Sequence, residues 1–129
     1  MRSDTQTPRS EEGHLTPRTK AFALRVIRLV QSLGESRVGR VLGDQLLRSG
    51  TSVGANYRAA ARARSRADFI NKLKISEEEC DESLYWMELL VDSGLFTEKK
   101  PAALRGEGTE ILAMLVASLQ TTRRSSGAS

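Results

Sequence analysis

The chain has 129 residues, of which 39% are hydrophobic and 28% charged, with 20 Lys+Arg against 16 Asp+Glu and a formal net charge of +4. That length makes one domain with a core large enough to need neither disulfides nor metal. Few aromatics (5%) and three prolines argue against a many-stranded sheet, and no stretch approaches the roughly 20 apolar residues of a membrane span.

Residues 1–15 are polar and aperiodic, which predicts a flexible tail ahead of a bundle over 16–122. The first 14 residues mix both charge signs without an apolar centre, unlike a secretory signal or a transit peptide, so the expected address is the cytoplasm. Thr16 before Pro17 suits an N-cap and first turn, and Gly34 is a natural stop after Leu33. Between them Phe22, Leu24, Val26, Ile27, Leu29, Val30 and Leu33 cover more than one stripe, leaving Arg18, Arg25, Arg28 and Ser32 as the wet strip. A helix this apolar needs neighbours on two sides.

Ser36 caps a second helix through Val38, Val41, Leu42, Leu46 and Leu47, which runs into the small-residue tract Ser49–Ala55. Glycine costs about 1 kcal/mol against alanine inside a helix, so Gly50 and Gly54 mark either a break or a groove that another backbone approaches closely; the groove is favoured. Ser65 with Asp68 resembles a capping box opening helix three. There Phe69, Leu73, Ser76, Cys80, Leu84, Met87 and Val91 share a face, and Gly94 ends the run. Lys99-Lys100-Pro101 breaks the chain before a fourth helix with its stripe at Leu104, Ile111, Leu112, Leu115 and Leu119, and residues 123–129 should fray. Four helices with short connections predict an all-α, antiparallel up-and-down four-helix bundle.

Chemistry is sparse. The one histidine, His14, lies in the tail and Cys80 stands alone, so no zinc site, triad or Cys-His dyad is expected. Glu79 and Glu82 are three apart but lack the histidines of a diiron site, and no Gly-x-x-x-x-Gly-Lys loop occurs. The reading is no enzyme, no metal and no cofactor. Glu79 and Glu82 flank Ile75, Trp86 and Leu89, so partial burial calls for cationic partners, for which Arg58, Arg62 and Arg66 are the candidates. Tyr85, Trp86 and Asn56 read as packing residues beside Gly50 and Gly54, with Trp86 in the core or at an interface.

The stretch 43–95 carries a dense pattern: Gln45-Leu46 with Arg48, Ser52-Val53-Gly54-Ala55-Asn56-Tyr57-Arg58, Arg64-Ser65-Arg66-Ala67-Asp68-Phe69, then Glu79, Asp81-Glu82 and Tyr85 through Leu90. It resembles a bacterial family of four-helix-bundle proteins that includes the products of intervening sequences inserted in 23S ribosomal RNA genes. Position 59 departs from the pattern, with alanine where the resemblance calls for glutamate. The resemblance implies a ring, typically a homopentamer. It also implies kinship with the accessory protein of diversity-generating retroelements, a basic ring that binds reverse transcriptase and nucleic acid.

Charge is uneven, +8 over residues 1–66 and −4 over 67–129. The expectation is therefore a self-assembling bundle whose Arg25, Arg28, Arg40, Arg48, Arg62 and Arg64 offer a basic surface to RNA, DNA or a nucleic-acid enzyme such as a reverse transcriptase, with no membrane partner. The alternative is a protein-only scaffold whose arginines pair with its own acidic third helix.

Overall fold

The structure, a computed structural model, describes residues 10–128, with side chains described over 15–125. Four helices follow in chain order, α1 (Ser10–Gln31), α2 (Arg37–Ala61), α3 (Arg66–Asp92) and α4 (Ala102–Ala128). Each packs against its neighbour in sequence, and α1 meets α4 along the thinnest seam, which closes an up-and-down four-helix bundle. None of the helices is long and apolar enough to cross a membrane.

Both ends extend further than the local signals indicate. Most of the expected tail, residues 1–9, lies outside the described residues, but 10–15 are helical and Pro17 sits inside α1. Leu15 is fully buried and Thr19 nearly so, and this packing holds the first turns helical although Pro17 removes one backbone bond. At the other end the expected fraying segment continues α4 to Ala128. The internal boundaries follow local chemistry. Ser36 and Ser65 cap α2 and α3, their hydroxyls accepting from the Gly39 and Asp68 amides at 2.9 and 3.1 Å. Gly94 has φ +85°, and the Leu95 and Gly94 amides donate to the Leu90 and Val91 carbonyls, the Schellman stop that glycine adopts without strain. Gly34, by contrast, has ordinary φ; α1 ends when Ser32 and Leu33 turn their amides back to Leu29 and Val30.

Gly50 and Gly54 are helical and buried, so the small-residue tract is a groove. A Cβ on Gly50 would stand 2.8 Å from a Val26 methyl, and one on Gly54 would meet Thr19 Oγ1 at 3.1 Å and its backbone carbon at 3.4 Å. The glycines give up helix propensity and let α1 lie directly on α2, burying Val26 completely. On the far side Gly108 does the same for α4, where an added Cβ would press on Leu84 at 2.9 Å and Phe22 at 3.1 Å.

Buried hydroxyls fix the register of α2 on α3. Ser76 donates to the Val53 carbonyl at 2.7 Å, and Ser83 Oγ meets Ser49 Oγ at 2.9 Å. Cys80 and Arg66 set α3 on α4, reaching the carbonyls of Gly108 at 3.4 Å and Thr122 at 3.5 Å. These contacts put the α2–α3 connection at the same end of the bundle as the close of α4. The α1–α2 and α3–α4 connections share the other end.

Candidate nucleic-acid interface

The six arginines assigned to a basic surface do not form one surface. Arg25 and Arg28 line a cleft between α1 and the start of α4 together with Lys100. Arg40, on the first turn of α2, lies 3.8 Å from Glu35, both highly exposed. Arg48 is engaged with acidic residues across the α2/α3 seam. Arg62 and Arg64 stand at the far end, in the α2–α3 connection.

At that end they have company. Arg58, Arg62, Arg64 and Arg66 come from the close of α2 and the opening of α3, and Arg123 and Arg124 from the last turns of α4; all six are exposed. Arg66 joins the two groups through its bond to Thr122. Asp68 is the acidic residue at this level among the described side chains, and Arg58, Arg62, Arg64, Arg123 and Arg124 enter no ion pair among the described residues. The C-terminus of α2 favours Arg58 by its dipole, and the five arginines outside any ion pair among the described residues, Arg58, Arg62, Arg64, Arg123 and Arg124, are also able to hold phosphate. Arg123 and Arg124 were missed because a polar run after the last apolar residue looks like a fraying end. Two adjacent arginines directly after the helix four stripe were the available signal.

The acidic side of α3 finds different partners from those expected. Glu79 takes Arg48 at 3.1 Å and Glu82 takes the other end of the same guanidinium, while Trp86 donates to Glu82 at 3.2 Å. Arg58, Arg62 and Arg66 fall outside this pairing because the serine contacts set Glu79 opposite residue 52. Arg58 is then about 9 Å further along, at 1.5 Å per residue. Tyr85 lies edge-on to Trp86, centroids 5.2 Å apart, but stays half-exposed and so is not a core residue. Asn56 turns its amide back onto the Ser52 carbonyl of its own helix at 2.9 Å. Val41, two turns from Arg48 on the same stripe of α2, and its neighbour Val38 are more than half exposed.

Arg18 is not the wet residue its strip suggests. Its Nε and Nη2 grip Glu107 at 2.9 and 2.7 Å, and Nη2 reaches Glu110 at 3.0 Å. The hydrogen bonds from this guanidinium hold the Glu107 carboxyl below its usual range, with a smaller contribution from Arg25. Cys80 is fully buried, and burial, with Asp81 and Glu77 nearby, pushes its thiol up to about 12. Among the described residues no group of three His, Cys, Asp or Glu comes together as a metal ligand set.

Residues 14–117 match the family model described as 23S rRNA-intervening sequence protein. A crystal structure from Bacteroides thetaiotaomicron, described as a protein with unknown function from the S23 ribosomal protein family, is 37% identical and superposes with a TM-score of 0.80. The match covers 85% of this chain and 98% of that one. No curated protein matches.

Proposed function

The chain belongs to the 23S rRNA-intervening sequence protein family, and on that premise we propose that it is a non-enzymatic, self-assembling cytoplasmic bundle presenting a basic surface to nucleic acid or to a nucleic-acid enzyme such as a reverse transcriptase. The observation that carries this reading is the arginine end, where the elements bring Arg58, Arg62, Arg64, Arg66, Arg123 and Arg124 to one end of the bundle. One such patch is weak, but copies held in register multiply it, and each phosphate neutralised releases counterions. Support for assembly comes from the apolar residues left in water, Val38 and Val41 in the first half of α2 and Leu24 on α1. A homopentamer is the ring size that the family resemblance suggests.

Two measurements test the two halves. Filter binding of a structured RNA should be present at about 50 mM salt, fall steeply toward about 200 mM, and drop at least tenfold when Arg62, Arg123 and Arg124 are changed to Glu. No binding at about 50 mM ends the nucleic-acid reading. Light scattering at about 0.1 M and 1 M salt should give the same multi-chain mass, and a single-chain mass in both would remove assembly. The protein-only scaffold, whose arginines pair with the chain's own acidic third helix, draws its support from Arg48, which is engaged by Glu79 and Glu82 of α3. On that reading the mass persists and no RNA binds.

A further inference from the structure

The cleft between the second half of α1 and the start of α4 differs from the rest of the surface in the sign of its walls. Arg25, Arg28 and Lys100 line it over a floor of Leu29, Ala103 and Leu104, the open cleft has a volume of about 370 Å³, and no carboxylate is among its lining residues. The neighbouring clefts mix signs, one setting Glu35 and Asp44 against Arg40, another Asp81 and Glu88 against Arg105. None of the three cations forms an ion pair among the described residues. Arg25 does feel Glu107, but that carboxylate is already gripped by Arg18.

We propose that this cleft is a binding site for a phosphate monoester, its dianion held between Arg25, Arg28 and Lys100 and its organic body laid on Leu29, Ala103 and Leu104. Guanidinium forks match phosphate oxygens two at a time, and three positive charges suit a dianion better than a carboxylate. Ala103, exposed beside the nearly buried Leu29 and Leu104, makes the floor apolar, a surface suited to an organic body rather than to an inorganic ion. The volume falls within the range of small-molecule sites. Such a phosphate has two sources, a free small molecule or the terminal phosphate of a nucleic-acid strand. The cleft is at the opposite end of the bundle from the arginine cluster, roughly 30 Å away along α4 at 1.5 Å per residue, so it stands apart from the nucleic-acid reading above.

The test is equilibrium dialysis of the full chain at about 50 mM salt with adenosine 5′-monophosphate, with adenosine as the phosphate-free control. The expected result is saturable binding of one monophosphate per chain and none of adenosine. Binding should strengthen between pH 5 and pH 7.5, as the phosphate loses its second proton near pH 6. Arg25→Gln with Arg28→Gln, and separately the loop variant Lys100→Gln, should each weaken it at least tenfold, while Lys72→Gln on α3 leaves it unchanged. Absence of saturable binding, or equal binding by the cleft variants, overturns the proposal. A 5′-phosphorylated oligonucleotide that outbinds its 5′-hydroxyl twin through the same residues, and outbinds the mononucleotide, identifies the strand end as the source. Equal affinity for the oligonucleotide pair, with the mononucleotide bound, identifies the free molecule.

Discussion

Helix α1 is held on its two sides by different balances of shape and charge. Toward α2 the chain removes side chains, and Gly50 and Gly54 bring backbone within van der Waals reach of Val26 and Thr19. Toward α4 Gly108 again admits Phe22, but along the partly exposed edge the chain extends a side chain, and Arg18 spans the gap to Glu107 and Glu110. The glycine seam is dry and depends on shape, so it tolerates almost no added volume. The arginine seam is partly wet and depends on charge, and beyond it α1 and α4 part to leave the Arg25–Arg28–Lys100 cleft. Tight packing and an open binding surface therefore lie on opposite flanks of one helix.

Substitutions can break that contrast in order of size. Gly50→Leu forces a full side chain where even a Cβ stands 2.8 Å from Val26, and should cost about 3 kcal/mol or more in chemical denaturation, or prevent folding. Gly50→Ala is milder, since overpacking of about 1–3 kcal/mol is offset by about 1 kcal/mol of helix propensity. Combined with Val26→Ala it should recover about 1 kcal/mol in a double-mutant cycle, because the new methyl enters the space the valine leaves. Additive effects would mean that the two residues do not share a seam. Across the bundle Arg18→Ala should cost only about 1 kcal/mol, since the pair is partly solvated. Glu107 sharpens the point through pH. Its carboxyl lies below the ordinary 4.5, so the advantage of wild type over Glu107→Gln should be complete above that value and lost as pH falls through the lower, folded one. A pH-independent gap would remove the charge account. At the open cleft Ala103→Ser should change stability by less than about 0.5 kcal/mol.

The legible parts of the fold are those decided within a few residues. Ser36, Ser65 and Gly94 act through neighbours three to five positions away, and the glycine tract announces a close approach by its cost alone. What sequence reading missed is set between helices. Arg48 rather than Arg58 reaches Glu79 because Ser76 and Ser83 fix the α2/α3 register, a choice that no spacing within either helix reveals. The arginine end joins residues near 62 to residues near 123 only once α4 lies back along α3. Pro17 misplaced the start of α1 because its local preference for a first turn yields to the burial of Leu15.

Cys80 turns the interior of the bundle into a clock. A thiol raised to about 12 is almost wholly protonated at neutral pH, and it sits fully buried on the Gly108 carbonyl, out of reach of an alkylating reagent. Its modification must wait until α3 lifts from α4, so the rate of labelling in native buffer counts the openings of that interface. With a single cysteine in the chain, the count needs no engineered probe.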